Sequence, residues 1–162
     1  KFKIKYLFTT EKVLKNLHEG TIDFGLFAIQ NAVGGVVQES THAMAKYTFE
    51  IINEFTILVR HFLMKRKDVD LKDIKTIIAH PQVFKQCQTT LKEKYTQYKC
   101  VSGERNLVDT AKAAQAVSNS TLPKNYAILG PAGLAKMYDF NIVAENLQDS
   151  SNNLTSFFIV KR

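Results

Sequence analysis

The stretch Lys75-Thr-Ile-Ile-Ala-His-Pro-Gln-Val-Phe-Lys-Gln-Cys87 decides the fold, because it predicts a buried strand that runs directly into a helix. Residues 76–78 are β-branched, and Pro81 presets φ at what would be the first helical position. Beyond Pro81, apolar side chains recur at helical spacing: Phe84, Cys87, Leu91 and Tyr95. We therefore expect a helix that begins at Pro81 immediately after a strand.

This junction is a candidate ligand site. The first N–H groups of the helix would point out of the carboxyl end of the strand, where the helix dipole favours a carboxylate or phosphate. Ala79, His80 and Gln82 are therefore candidates for a site wall. A lone histidine more often caps a helix or packs than it catalyses, so capping is the competing interpretation of His80.

The composition indicates a globular protein with room for one core or for two small lobes that share a hinge, since 45% of its 162 residues are hydrophobic. Lys and Arg number 22 against 15 acidic residues, which gives a net charge of +7. The basic residues are scattered, and Lys65-Arg-Lys67 is the one short run. We therefore expect no nucleic-acid partner and interpret the charge as attraction for small anions.

The cysteines and the hydropathy indicate the compartment. Cys87 and Cys100 are too few for a disulfide framework. No apolar run reaches the ~18 residues of a membrane span, and no signal-peptide core opens the chain. The sequence thus predicts a cytoplasmic protein with no membrane partner.

The first part of the chain predicts alternating strands and helices. Phe2, Ile4 and Tyr6 alternate with lysines, as in a half-buried strand. A helix over 11–18, a strand over 23–29 and a helix over 41–47 follow, the first helix being capped by Thr9 or Thr10. Residues 49–64 predict either two strands or one strand that crosses between lobes, and we favour the crossing strand.

The second part continues the alternation. Strands are predicted over 98–101, 126–129, 140–147 and 157–160, with a helix over 110–118 capped by Asp109 and another that ends near Tyr138. Strands that alternate with helices indicate α/β architecture. The expected fold is two small α/β lobes with mixed, mostly parallel sheets.

Two polar loops are further candidate sites. Gln30-Asn-Ala32 precedes Gly34 and Gly35, which let backbone approach a ligand closely. The segment from Gln148 to Thr155 is rich in side chains that form hydrogen bonds. The competing interpretations are an ordinary glycine turn and a solvated turn.

Taken together, motifs along nearly the whole chain resemble the signature of prephenate dehydratase catalytic domains. They are Asp23-Phe-Gly25, Ile29-Gln-Asn-Ala32, Gly35, Ala79-His-Pro-Gln82, Gln86-Cys87, Thr110-Ala111, Ala113-Ala114, Gln148-Asp149, Asn153 and Thr155-Ser-Phe157. The resemblance implies two α/β lobes of the periplasmic-binding-protein type II kind, approximately 1–60 plus 140–162 and 61–139, with the site in the cleft between them.

The resemblance also implies an activity: conversion of prephenate, a dicarboxylate, to phenylpyruvate, water and carbon dioxide in phenylalanine biosynthesis, without cofactor or metal. It implies that Thr155 is the catalytic proton donor. The residues implied to bind substrate are Asn31, Gly35, His80, Gln82, Thr110, Asn153 and Phe157. Aromatisation would drive the reaction, and the protein would position the substrate and protonate its ring hydroxyl.

Several positions depart from the family pattern. Gln30 and Ala32 stand where the pattern has Glu and Ser, Ala79 where it has Ser, and Ser156 where it has Arg. The family's opening strand with its Gly-Pro-x-Gly-Thr turn is not found, nor is a regulatory amino-acid-binding domain, so we expect no phenylalanine feedback. A second copy of the chain could complete the first lobe, which makes a homo-oligomer one expectation.

Three functions are therefore open. The first is a working, diverged dehydratase; the second is a relative that binds a small carboxylate or amino acid without turnover; the third is a prephenate decarboxylase. Thr155 favours dehydration over decarboxylation alone, while Gln30 and Ser156 favour binding without turnover. We place the dehydratase first, because backbone donors can bind an anion where a side chain is missing.

Overall fold

The computed structural model describes residues 3–162, which form two compact units. Unit 1 comprises residues 3–59 and 152–162, and unit 2 comprises Arg60–Ser151. The expected lobes placed residues 140–162 together in the first lobe. The structure instead assigns residues 140–151 to unit 2, because the strand that begins at Phe140 pairs within the sheet of that unit.

Unit 1 contains a four-stranded antiparallel sheet in the order β2-β1-β9-β3. Strands are numbered along the chain, and those of unit 1 are β1 Phe24–Asn31, β2 Gly35–Val36, β3 Glu50–Leu58 and β9 Leu154–Lys161. Strand β9 lies between β1 and β3 and runs opposite to both. The last strand in the sequence therefore lies between two strands from the first 58 residues.

Two helices pack on this sheet, α1 Thr10–His18 and α2 Gln38–Met44. The Thr9 hydroxyl caps α1 by accepting a hydrogen bond from the Lys12 N–H at 3.3 Å, as predicted. The buried core between helices and sheet consists of Leu14, Leu17, Phe27, Ala43 and Val160. Gly25 permits the close approach of α1, since a Cβ there would lie 2.7 Å from the Val13 side chain.

The strand predicted at the start of the chain is wrong for the positions described. Residues 3–7 belong to no helix or strand, and Ile4 and Tyr6 are exposed. The prediction at Phe2 lies outside the described residues. The alternation of charged and apolar side chains is real, but a strand also needs a paired neighbour.

Unit 2 contains a five-stranded sheet in the order β6-β5-β7-β4-β8. Its strands are β4 Phe62–Arg66, β5 Thr76–Ile78, β6 Lys99–Val101, β7 Tyr126–Gly130 and β8 Phe140–Ala144. Strand β5 is parallel to β6 and β7, whereas β4 is antiparallel to β7 and β8. The α/β class is confirmed, but mostly parallel pairing is wrong, because β4 runs opposite to its neighbours β7 and β8, and β9 runs opposite to β1 and β3.

The helices of unit 2 are α3 Pro81–Gln86, α4 Gln88–Lys94, α5 Thr110–Ser118 and α6 Gly133–Tyr138, with 3₁₀ turns at Leu71–Asp73 and Arg105–Val108. The predicted start at Pro81 is confirmed, but the helix is interrupted at Cys87, where φ is −119° and ψ is 16°. The prediction for α5 is confirmed with its cap, since Asp109 Oδ1 accepts from the Lys112 N–H at 2.9 Å.

Three boundaries differ from the sequence predictions. Residues 49–64 form two strands in different sheets, so the single crossing strand is wrong. Strand β8 ends at Ala144, before the predicted 147, and β9 begins at Leu154, before the predicted 157. The early start of β9 matters for function, because it brings Thr155 into the sheet opposite Asn31. No helix in residues 3–162 is long and apolar enough to cross a membrane.

Candidate functional site

A buried polar cluster in unit 1 joins three of the predicted site residues, and we call Asn31, Asn153 and Thr155 the Asn31 cluster. Asn31 and Thr155 are cross-strand partners in the β1–β9 pairing. The Asn31 Nδ2 donates to Thr155 Oγ1 and to Asn153 Oδ1, both at 2.8 Å. The register of β1 and β9 therefore places the Thr155 hydroxyl within hydrogen-bond distance of the Asn31 side-chain amide.

The side-chain oxygen of Asn31 stabilises the turn that leads to β2. Its Oδ1 accepts hydrogen bonds from the backbone N–H groups of Val33, at 3.0 Å, and Gly34, at 2.7 Å. Both amide hydrogens and the carbonyl oxygen of Asn31 are thus occupied within the chain. This geometry suits a residue that positions Thr155 better than one that contacts a ligand directly.

Thr155 and Asn153 keep polar hydrogens that the protein does not use. The Thr155 oxygen accepts from Asn31, and no acceptor for the Thr155 hydroxyl hydrogen is found in the described part of the chain. The Asn153 side chain is fully buried, and its Nδ2 has no partner among residues 3–162. An unpaired buried donor is costly, so such groups commonly mark functional positions or bound water.

Gly35 and Phe157 lie in the same unit. Gly35 has φ of +76°, and a side chain there would meet no atom within 4 Å, so the position favours glycine for its backbone conformation. Phe157 stacks on Phe55 of β3, with ring centroids 5.5 Å apart and planes at 13°. Thr155 and Phe157 are two residues apart on β9 and therefore point to one face of the sheet.

Gln30 and Ser156, the two positions at which the motif resemblance leads us to expect charged residues, are direct neighbours. Gln30 of β1 is paired with Ser156 of β9, and Thr56 of β3 is paired with Ser156 from the other side. The Thr56 and Ser156 hydroxyl oxygens are 3.3 Å apart. A carboxylate and a guanidinium at positions 30 and 156 would thus form a cross-strand pair.

Unit 2 brings together the other three predicted residues. The His80 backbone N–H donates to Thr110 Oγ1 at 3.3 Å, and the His80 Nδ1 accepts from the Gln82 N–H at 3.1 Å. His80 is therefore the N-cap of α3, which confirms the capping interpretation. Because Nδ1 accepts, the neutral ring carries its proton on Nε2, which remains a potential donor.

Close packing holds Thr110 in place beside His80. A Cβ on Gly130 would lie 2.8 Å from Thr110 Cγ2, so only glycine fits at the end of β7. Ala79 is fully buried and does not form a site wall. Helix α3 has six residues and His80 already uses one of its first N–H groups, so anion binding at this helix start stays a prediction.

Sequence analysis missed a second buried polar network, centred on His61 at the start of β4. His61 is 4% exposed, and its Nε2 lies 2.6 Å from the acceptor Gln86 Oε1. Its backbone N–H donates to Gln148 Oε1 at 3.0 Å. We call His61, Gln86, Gln148 and Asp149 the His61 cluster. The available signal was a histidine directly before the apolar run 62–64.

Asp149 and Cys87 complete the surroundings of the His61 cluster. The Asp149 carboxylate accepts from the N–H groups of Thr89 and Thr90, both at 2.9 Å, and so caps α4. Burial works to raise the pKa of Asp149, but these hydrogen bonds outweigh it and hold the pKa below its ordinary value. Burial, with the nearby Asp149 charge, raises the pKa of Cys87 to about 12, so its thiol is not a nucleophile.

The pKa of His61 itself lies below its ordinary value. Burial lowers it, and the hydrogen bond to Gln86 opposes that effect only in part. Its Nδ1 has no partner among the residues described, so a protonated ring would carry an unpaired N–H. The fold thus holds His61 neutral. No group of three or more metal-ligating side chains is found in residues 3–162.

Comparison with known proteins identifies the class and then the family. The two α/β units resemble those of solved periplasmic-binding-protein type II folds. The family model described as prephenate dehydratase matches residues 1–162, so the chain belongs to the prephenate dehydratase family.

Individual relatives agree with this assignment. The chain is 30% identical over 154 residues to a bifunctional chorismate mutase/prephenate dehydratase of Buchnera aphidicola, covering 95% of this chain and 38% of the relative. It is 29% identical over 141 residues to arogenate dehydratase/prephenate dehydratase 2 of Arabidopsis thaliana, covering 87% and 35%. The chain thus spans little more than a third of the length of these relatives.

A solved structure extends the likeness to three dimensions. The prephenate dehydratase of Arthrobacter aurescens, crystallised in complex with L-Phe, superposes with a TM-score of 0.78 at 27% identity. The match covers 92% of this chain and 48% of that one. The predicted fold type, two α/β units, is therefore confirmed.

Proposed function

We propose that the chain is a dehydratase that converts prephenate to phenylpyruvate, water and carbon dioxide. The observation that carries the proposal is the Thr155 hydroxyl, which accepts from Asn31 at 2.8 Å and keeps its own hydrogen available. Family membership supports the same reaction. Its products serve the synthesis of phenylalanine, in a cytoplasmic setting and without a cofactor.

The reaction needs one proton at one oxygen. The donor protonates the ring hydroxyl, whose C–O bond breaks as water leaves. The bond between the ring and its carboxylate breaks at the same time, its electrons complete the aromatic ring, and carbon dioxide is released. A positioned general acid contributes roughly 10²–10⁴-fold to such a step, and orientation contributes further.

Each residue of the Asn31 cluster has a role in this proposal. Thr155 is the catalytic proton donor, and Asn31 is a positioning residue, because its amide is fully occupied by Thr155, Asn153 and the turn. The unpaired Nδ2 of Asn153 supplies a second hydrogen-bond donor for a ligand oxygen. The stacked rings of Phe157 and Phe55 offer an apolar surface suited to a six-membered ring.

The residues of unit 2 supply donors for a carboxylate. His80 has its Nε2 hydrogen unused by the cap, and Gln82 and Thr110 present an amide and a hydroxyl beside it. We propose that these three groups form a surface within unit 2 that binds a carboxylate.

Binding without turnover is the second candidate function. The observation that favours it is the neutral pair of Gln30 and Ser156, which are cross-strand partners in the β1–β9 register. A bidentate carboxylate contact from a guanidinium is a strong one, and neither side chain can replace it. In this case the chain would hold a small carboxylate or amino acid and release it unchanged.

Incubation of the purified chain with prephenate, followed by mass spectrometry, tests these functions. The dehydratase gives phenylpyruvate, and a decarboxylase gives a product that retains the ring hydroxyl. A binding protein gives no product, but prephenate raises its melting temperature. At a ligand concentration 100-fold above Kd, binding should stabilise the folded state by about 2.7 kcal/mol. Arogenate, the second substrate named for a relative, belongs in the same assay.

A further inference from the structure

A β-bulge in β1 decides on which face of the unit 1 sheet Asn31 lies. In the pairing of β1 with β9, Ala28 is opposite Phe157, and Gln30 is opposite the residue before Phe157. Ile29 is therefore an extra residue without a partner in β9. An extra residue shifts the register by one, so the side chains beyond it change face.

Regular alternation along β1 would place Asn31 on the wrong face for the proposed chemistry. Phe27 and Ile29 pack in the core that α1 and α2 cover, and in an unbroken strand Asn31 would face this core as well. Phe158 of β9 also packs there, so Thr155, three residues away, lies on the opposite face. The shift at Ile29 turns Asn31 to that opposite face, where Thr155 is its cross-strand partner.

Two hydrogen bonds from the start of α2 hold the bulge. The Ser40 hydroxyl donates to the Ala28 carbonyl oxygen at 2.6 Å. The Val37 backbone N–H donates to the Ile29 carbonyl oxygen at 2.9 Å. Ser40 is 1% exposed, so its bond to Ala28 is shielded from water. The irregular part of β1 is thus tied to a helix that packs on the sheet.

A second buried hydroxyl lies beside Ser40. The Thr10 and Ser40 hydroxyl oxygens are 2.7 Å apart, and Thr10 is 5% exposed. A hydroxyl has one hydrogen, and Ser40 uses its hydrogen on Ala28, so Thr10 is the donor in this pair. Thr10 therefore joins α1 to α2, and of the two hydroxyls only that of Ser40 reaches the bulge.

We propose that Ser40 is a positioning residue for the dehydration, an inference that rests on the proposed function. By holding the bulge, the Ser40 hydroxyl keeps Asn31 opposite Thr155. The Asn31 amide in turn orients the Thr155 hydroxyl at 2.8 Å. Without the bond from Ser40, the register without a bulge becomes available to β1 and β9, and in that register Asn31 leaves Thr155. The proton donor would then be present but no longer oriented.

Steady-state kinetics of prephenate conversion test the role of Ser40 in turnover. In Ser40→Ala we expect kcat to fall by roughly ten- to a hundredfold, as for a misplaced catalytic group. KM should change by less than about twofold, because the donors of unit 2 are untouched. Ser40→Thr keeps the hydroxyl and should restore most of kcat.

Thr10→Val is the matched control. It removes a buried hydroxyl from the same place with little change of shape, but it leaves the bond from Ser40 to Ala28. We therefore expect Thr10→Val to lower the free energy of unfolding and to leave kcat unchanged. A loss of stability alone would affect both variants alike.

Hydrogen exchange of the Asn31 side-chain amide, followed by NMR, gives a readout that does not need turnover. Its Nδ2 hydrogens are bonded to Thr155 and Asn153, so they should exchange slowly in the wild type. They should stay slow in Thr10→Val and exchange at least about tenfold faster in Ser40→Ala. Asn31→Asp identifies the signals, since it removes them.

Val37→Pro replaces Ser40→Ala if the latter does not fold. The Val37 φ of −76° suits proline, and the change removes the N–H that is bonded to Ile29, so it should lower kcat and speed the exchange in the same way. Slow exchange in folded Ser40→Ala, or equal losses of kcat in Ser40→Ala and Thr10→Val, would overturn the inference. A wild-type chain that forms no phenylpyruvate refutes the proposed function. Fast exchange in Ser40→Ala then still supports the placement of Asn31 by Ser40, and slow exchange overturns it.

Discussion

The Asn31 cluster and the His61 cluster are both hydrogen-bond networks built around side-chain amides, yet the donors of Thr155 and Asn153 are used differently from those of His61. In the Asn31 cluster, Thr155 and Asn153 keep hydrogens that have no acceptor in the described chain. In the His61 cluster, the backbone N–H and the Nε2 of His61 both have acceptors, Gln148 and Gln86, which tie the start of β4 to α3 and to the segment before β9.

This difference assigns a ligand-binding or catalytic role to the Asn31 cluster and a stabilising role to the His61 cluster. Burying unused donors destabilises the folded state, and this loss of free energy is recovered only when a ligand accepts hydrogen bonds from them. The two donors of His61 have acceptors within the chain, so they hold segments together whether or not a ligand is bound. Both clusters contain residues of the motifs quoted in Sequence analysis, so a matching motif alone does not distinguish a catalytic role from a structural one.

The largest expected effect is at Thr155. Thr155→Ala removes the proposed proton donor, so phenylpyruvate formation should fall by roughly 10²–10⁴-fold while the melting temperature changes little. Thr155→Ser keeps the hydroxyl and is the matched control. A folded Thr155→Ala variant with undiminished turnover would refute the assignment.

The next largest effect concerns the neutral pair beside the cluster. Ser156→Arg should raise turnover by about ten- to a hundredfold, because a charged hydrogen bond to a carboxylate contributes ~1.5–3 kcal/mol. Adding Gln30→Glu to Ser156→Arg should raise turnover further in the double variant, since positions 30 and 156 are cross-strand partners. The wild-type chain is accordingly expected to be slow.

Rates of phenylpyruvate formation for the wild type, Ser156→Arg and the double variant decide this point. Two results are incompatible with it: a wild-type turnover near the ordinary enzyme value of ~10 s⁻¹, or two variants that are both slower than the wild type.

A change in stability, rather than in rate, is expected at His61. His61→Ala should lower the free energy of unfolding by about 1–3 kcal/mol, since it leaves buried polar partners unpaired. Turnover, corrected for the folded fraction, should stay close to that of the wild type. Chemical denaturation and the phenylpyruvate assay provide the two measurements, and His42→Ala is a control at an exposed histidine of α2.

The pH dependence of stability gives a finer test of the same cluster. Burial lowers the pKa of His61 in the folded state, so the unfolded chain binds the proton more readily. The stability that the neutral ring provides is complete above the unfolded pKa of about 6.5 and is lost as the pH falls below it. Wild-type stability should therefore decrease between pH 7.5 and 5.5, and His61→Gln should flatten that decrease.

Local signals in the sequence predicted much of the fold. The start of α3 at Pro81 and the Asp109 cap of α5 depend on neighbouring residues, and both are confirmed. The parallel orientation was overestimated because β9 reaches its place between β1 and β3 from the far end of the chain. Insertion of a distant strand leaves no local trace in the sequence.

The same limit applies to the candidate site. Motif resemblance selected Asn31, Asn153 and Thr155, but only the strand register shows that the Asn31 amide is fully occupied. His61 escaped notice because its partners, Gln86 and Gln148, are 25 and 87 residues away. Side-chain pairing over such separations is a property of the packed fold.

Parallel measurement of turnover and unfolding for Thr155→Ala and His61→Ala tests the central claim most directly. We predict that Thr155→Ala loses phenylpyruvate formation and keeps its stability, whereas His61→Ala loses stability and keeps formation per folded molecule. The claim would be contradicted if Thr155→Ala were destabilised and active, or if His61→Ala were stable and inactive.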